Sequence, residues 1–202
     1  MADLSFAVTF DYRCPFARNA HEHVAAALQA GADWDVQFLP FSLSQTKVAE
    51  GDTDVWDDPA KDSGILALQA GVVVREHDPD RFLDAHLALF ALRHDQGGDL
   101  RDEAQVRQAL EGAGLDAGDV LAEVAGGAPL ETIRKEHEAA VTHHQVFGVP
   151  TFIAGDEAVF VRVMHRFADD VDYSRRTVER IVGDLLVGWH DLNEFKRTTI
   201  AR

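Results

Sequence analysis

Apolar residues run almost unbroken from Leu4 to Phe10, a length and composition that predict a buried strand. The pattern then changes period. Residues 15–30, rich in Ala, His and Leu, predict a helix that Gly31 is placed to stop. Residues 34–41 carry Val36, Phe38 and Phe41, with Pro40 near the end, and predict a second strand that completes a βαβ unit. Residues 51–59 are acidic and punctuated by Gly and Pro, as a surface loop would be.

From about residue 60 to 147 the periodicity is helical. Asp62 or Ser63 is placed to cap a segment over residues 65–70. Asp78 and Pro79 open a helix that carries Phe82, Leu83, Leu87, Phe90 and Leu92. Gly97-Gly98 breaks the pattern, which resumes over residues 102–111 until Gly114 and again over 116–125; Pro129 opens a long amphipathic stretch ending near Gln145. β character returns at residues 149–154, turns at Gly155-Asp156 and continues through residues 159–161 as a hairpin. Ser174 is placed to cap a last helix over residues 175–187, with Val178, Ile181, Val182 and Leu185 on one face. The expected architecture is α/β, a thioredoxin-like β-α-β unit (residues 1–50), a helical insertion (51–147), then β-β-α with a tail (148–202).

Composition narrows the functional classes. With 202 residues and 46% hydrophobic content the chain can bury one sizeable core. Its 35 acidic against 19 basic side chains leave a formal charge of -16, and no Lys/Arg block stands out to track a phosphate backbone. Nucleic acid and anionic membranes are therefore not expected partners. Residues 1–6 lack a basic region, and Asp11 and Arg13 interrupt the first apolar run, so the expected location is cytoplasmic. The single cysteine, Cys14, cannot form an internal disulfide.

Cys14 stands where the first strand gives way to the first helix, in Tyr12-Arg13-Cys14-Pro15-Phe16-Ala17. A sulfur there lies beside the free N–H groups of the first helical turn, where the positive end of the helix dipole favours thiolate over thiol. Pro15 suits the first helical position, since its missing N–H would have had no partner. Packing as a small hydrophobe is the alternative for an unpaired cysteine. Arg13 and Arg18 are placed to stabilise a thiolate and Asp11 to oppose one. The ten histidines show no metal-ligand spacing: His21 and His23 diverge, as do His143 and His144, and His137 and His144 stand two turns apart. No metal is expected, and most of these side chains should be exposed or locally hydrogen-bonded. No Gly-x-Ser-x-Gly turn supports a serine hydrolase.

Cys14-Pro15-Phe16-Ala17, the helical insertion and Gly148-Val149-Pro150-Thr151 together resemble the DsbA-like branch of the thioredoxin superfamily over nearly the whole chain. The resemblance implies a thiol-disulfide oxidoreductase with Cys14 as nucleophile and Pro150 as the cis-proline lying against it. Val149 would then present its backbone N–H and C=O beside the sulfur, and Arg13, Pro15 and Phe16 would line the thiol site. Ala17 occupies the position of the second, resolving cysteine, so a dithiol mechanism is excluded and a monothiol mechanism remains. No tightly bound cofactor is expected; the resemblance implies a low-molecular-weight thiol as co-substrate. The tail from Trp189 to Thr198 resembles that of mycothiol-dependent reductases, which points to mycothiol, with glutathione the other choice; Trp189, Leu192 and Phe195 would equally serve to anchor the tail on the sheet. Two further readings are a kappa-type glutathione transferase or 2-hydroxychromene-2-carboxylate isomerase, which lack a resolving cysteine, and a non-catalytic thioredoxin-like scaffold.

Overall fold

The computed structural model describes residues 3–194 and 196–197. Its elements follow the predicted order: β1 (Leu4–Phe10), α1 (Pro15–Gln29), β2 (Trp34–Pro40), α2 (Ile65–His77), α3 (Phe82–His94), α4 (Glu103–Gly112), α5 (Ala117–Ala125), α6 (Ala128–His144), β3 (Thr151–Ala154), β4 (Glu157–Phe160) and α7 (Val171–Glu179), which continues as π-helical turns over Arg180–Val187. One mixed sheet has the order β2-β1-β3-β4. β1 runs parallel to β2, Phe6 opposite Val36 and Phe10 opposite Pro40, and antiparallel to β3, with Val8 opposite Phe152. β2 is an edge strand, which is where a proline can be tolerated in a sheet.

The sheet's inner residues, Phe6, Val8, Phe10, Phe38 and Phe152, join one core with residues from the helical segment such as Leu68, Leu89 and Phe90. α1 packs on α7, the π-helical turns pack on β1, β3 and β4, and α6 reaches β2. The helix ends obey local chemistry: Asp102 and Asp116 accept hydrogen bonds from the first-turn N–H groups of α4 and α5, and Gly31 adopts φ +85° after α1. No helix among the described residues is long and apolar enough to cross a membrane.

Three details depart from the sequence pattern. α2 does not end at residue 70 but runs on to His77, and Gly71 lies within it where the Tyr12 side chain meets the helix: a Cβ there would come within 3.1 Å of Tyr12 Cε2 and Cζ and closer still to its hydroxyl. Asp62 and Ser63 do not supply its N-cap, which is Gly64; Asp62 Oδ1 instead accepts from the Gly64 N–H at 2.7 Å. The last helix starts at Val171, with Asp170 as its cap through a 2.8 Å bond from the Tyr173 N–H. Ser174 is buried within that helix, its Oγ 2.8 Å from His23 Nδ1.

Candidate functional site

The turn between β1 and α1 is built by Asp11. Its backbone C=O accepts from the Cys14 N–H at 3.0 Å, closing the turn. Its buried carboxylate accepts from the N–H of Arg13 (2.9 Å), from the Arg13 guanidinium on both oxygens and from the N–H of Leu43 (2.9 Å). Cys14 then serves as the N-cap of α1: its backbone is extended (φ -88°, ψ 117°), its C=O accepts the first helical bond from Arg18, and its Sγ accepts from the Ala17 N–H at 3.4 Å. Pro15 occupies the first turn, as expected.

Across from this turn lies the loop leading into β3. Thr151 fastens it: its N–H donates to Thr9 Oγ1 (2.9 Å) and its hydroxyl to Gly148 O (2.8 Å), while Pro150 O accepts from the Val161 N–H (3.1 Å). The Val149–Pro150 peptide bond is cis. The Cys14 thiol donates to Val149 O at 3.3 Å, so residues 135 positions apart meet at the sulfur. This refines the sequence expectation for Val149. Its carbonyl is beside Cys14 but already holds the thiol proton, and its side chain is buried, as is Pro150.

Cys14 is only 8% exposed, and its electrostatics follow from that burial. Burial pushes the thiol pKa up from its ordinary value; the Ala17 and Phe16 N–H groups pull it back, the Asp11 carboxylate adds to the rise and Arg162 opposes it. The net direction is upward, against the helix-dipole expectation, because desolvation of a nearly covered sulfur outweighs two backbone N–H groups.

The arginines singled out by position have other partners. Arg13 binds Asp11, Asp62 and Ser44 Oγ (2.6 Å), and Arg18 binds Glu22 (3.0 Å) and Asp95 (2.8 Å), a pair that Arg166 also engages. Asp62, buried beside Asp11, has its pKa raised by desolvation first and by that carboxylate second. The cation that acts on the sulfur is Arg162, which no spacing in the sequence marks. Its guanidinium carbon lies 5.3 Å from the centre of the Phe16 ring and 5.6 Å from that of Phe160. Phe147, 69% exposed, packs at a tilt against Phe160 with ring centres 5.0 Å apart.

The histidines are more buried than the sequence suggests. His21, His23, His86 and His137 all lie inside, three of them hydrogen-bonded across the fold rather than locally. His21 Nε2 lies 3.1 Å from Thr9 O, which can only accept, so it carries the proton; His21 Nδ1 therefore accepts from His86 Nε2 (2.8 Å), and His86 Nδ1 from the Tyr12 hydroxyl (2.9 Å). Burial holds both rings neutral, His21 with a pKa lowered to about 4 and His86 well below its usual value. This relay props Tyr12, two residues before Cys14, from behind. Among the described residues no three His, Cys, Asp or Glu side chains are grouped to hold a metal ion. Of the tail, Trp189 is 55% exposed and Leu192 is half-buried, while Phe195 and Thr198 lie outside the described residues.

Two clefts adjoin this region. One of about 270 Å³ is lined by Arg13, Ser63, Arg93, Asp99 and Arg101 among others, and the second, of about 410 Å³, by Trp56, His137, Val141, Val146 and Phe147 among others.

Comparison with known proteins agrees with this geometry. In solved structures, a 2-hydroxychromene-2-carboxylate isomerase superposes with a TM-score of 0.62 at 15% identity, covering 90% of this chain and 98% of that one. The catalytic domain of Proteus mirabilis ScsC gives 0.58 at 20% identity, covering 91% and 83%. Reduced DsbA1 from Neisseria meningitidis gives 0.57 at 18%, covering 90% and 83%. At such identities the likeness is one of fold. No curated protein matches by sequence. The family model described as DSBA-like thioredoxin domain matches residues 7–172, a span that holds Cys14, the helical segment and the Val149–Pro150 loop, and the chain belongs to that family.

Proposed function

We propose that the chain is a thiol-disulfide oxidoreductase of monothiol type, with Cys14 as the nucleophile and a low-molecular-weight thiol, glutathione or mycothiol, as the external reductant. The observation that carries this reading is the sulfur's position: capping α1 with the Ala17 N–H directed at it and Val149 O 3.3 Å away. The Cys14 thiolate attacks one sulfur of a disulfide, the S–S bond breaks, and the departing thiolate takes a proton from solvent. Because Ala17 stands where a second cysteine would resolve the mixed disulfide, a first external thiolate attacks its substrate sulfur, which releases the Cys14 thiolate and leaves a disulfide between substrate and external thiol; a second external thiolate attacks the external thiol's sulfur in that species, which frees the substrate thiolate and forms the external disulfide. Two external thiols are oxidised for each substrate disulfide reduced. A reducing compartment such as the cytoplasm suits this chemistry.

The raised thiol pKa sets the expected pH dependence. The reacting thiolate is a minority species near neutrality, so the iodoacetamide alkylation rate of the unliganded protein should still be climbing above pH 8.5. Cys14→Ser should abolish thiol-dependent reduction of 2-hydroxyethyl disulfide; turnover retained by that variant refutes the mechanism.

A second reading is favoured by one observation, the thiol proton donated to Val149 O. In it Cys14 stays protonated and hydrogen-bonds the sulfur of a bound thiol cofactor, in an isomerase or transferase reaction. Under this reading Cys14→Ser keeps glutathione-dependent isomerisation or conjugation, since a hydroxyl donates equally well.

A further inference from the structure

We infer that Arg162, held over the Phe16 and Phe160 rings, is an anion-recognising residue that selects a carboxylate-bearing thiol or disulfide as the partner of Cys14. This rests on the reading of Cys14 as the reacting thiol. The Arg162 guanidinium lies over one ring from the turn after Cys14 and another from the end of β4. Among the described residues it makes no ion pair with a carboxylate, whereas Arg13 and Arg18 on the same turn each have two acidic partners. Phe16 stands in the first turn of α1, two residues after its N-cap Cys14, so the contact with its ring brings the guanidinium to the same helix end, and its charge opposes the rise in the Cys14 pKa.

The backbone around Arg162 is fixed on both sides. Val161 N–H binds Pro150 O, Val163 O accepts from Asn19 Nδ2 at 2.9 Å, His165 O accepts from His23 at 3.0 Å, and Arg166 binds Glu22 and Asp95. These anchors hold the segment and the two rings hold the exposed side chain, which together lower the ordering cost of binding. The aromatic faces beneath it leave its N–H edges for an acceptor, and a carboxylate matches that fork. The chain as a whole carries a charge of -16, which repels anions at long range. Against that background, and with Asp11 also acting on the sulfur, Arg162 is the cation there that has no carboxylate partner among the described residues. Phe147, tilted against Phe160 and exposed, adds apolar surface beside it for the apolar part of the ligand. Of the two small thiols, glutathione bears carboxylates and mycothiol is uncharged, so the inference favours the former class.

The single cysteine allows a direct test. Alkylation displaces iodide with the Cys14 thiolate whether the reagent is iodoacetate or iodoacetamide, and a change in thiol pKa affects both equally. The ratio of the two rates isolates recognition of the carboxylate. At about 0.15 M salt, where the distant charges are screened, Arg162→Gln should lower the iodoacetate-to-iodoacetamide ratio by about two- to fivefold, and Arg162→Lys should retain part of it. An unchanged ratio overturns the inference. Failure of iodoacetamide to react with the folded protein would instead overturn the nucleophile reading, and binding of S-methylglutathione then decides. Tighter binding to the wild type than to Arg162→Gln, with no such difference for its diethyl ester, supports Arg162. Equal binding to both proteins, or no binding, refutes it.

Discussion

Replacing His137 with Phe should remove an acid liability from the fold. The His137 ring is 4% exposed, stacks on Phe41 with ring centres 4.1 Å apart and meets Trp56 edge-on at 5.4 Å. Its Nδ1 is buried without a hydrogen-bond partner. Burial lowers its pKa to about 4, with Glu138 acting in the opposite direction. An unfolded histidine titrates near 6.5, so below that pH the unfolded chain takes up a proton that the folded chain refuses, and stability falls as pH falls from about 6.5 to about 4. Linkage with these two values gives a loss on the order of 2 kcal/mol between pH 8 and pH 5. A urea slope of about 2 kcal/mol/M turns this into a midpoint shift of about 1 M. Phe keeps the ring contacts and has no proton to gain, so urea melts of His137→Phe at pH 8 and pH 5 should show a midpoint difference smaller than wild type by about that amount. His21 and His86 remain in both proteins and give a common slope in the same direction. Parallel pH dependence in the two proteins would show that His137 is protonated in the folded state at little cost, and the reasoning from burial would fail.

Gly71→Ala should destabilise the protein by about 1–3 kcal/mol in thermal or urea melts, because its Cβ would run into the Tyr12 hydroxyl. Tyr12→Phe takes away the donor to His86 Nδ1 and should cost about 1–3 kcal/mol alone; the alanine should then cost less in the Tyr12→Phe background, and strict additivity would contradict the contact. Asp170→Ala should cost about 1 kcal/mol by removing the bond to the Tyr173 N–H, with no change in the Cys14 alkylation rate.

The framework of the fold was legible because it is written in local chemistry. Leu4–Phe10 is an apolar run, Pro15 and Gly31 bracket a helix, and Asp102 and Asp116 cap the two helices that follow them. Misreadings fell where a distant partner decides. The segment expected over residues 65–70 stops short of Gly71, which lies inside α2 where Tyr12, just past the end of β1, packs against it. Ser174 has the chemistry of a cap and spends it on His23. The site divides in the same way. Short motifs mark Cys14, Pro15 and the Val149–Pro150 loop as candidates, and the fold brings them together, whereas Arg162 reaches their neighbourhood only because the sheet brings the end of β4 over Phe16.

That division also explains why local sequence gave the wrong sign for the thiol. The helix start and two neighbouring arginines suggest a stabilised thiolate, but the arginines are consumed: Asp11 and Asp62 surround Arg13 with two carboxylates against one guanidinium. What remains close to the sulfur is burial, the Asp11 charge and a carbonyl able to accept its proton, and all three favour the thiol. The Ala17 and Phe16 N–H groups and Arg162 oppose them. Under the proposed function, resting protection and reactivity are then separable: the fold holds the unliganded cysteine as a thiol, and a ligand that competes for Val149 O would shift that balance. A ligand that takes the carbonyl removes the acceptor of the thiol proton, so its arrival changes the ionisation of Cys14 as well as occupying the site.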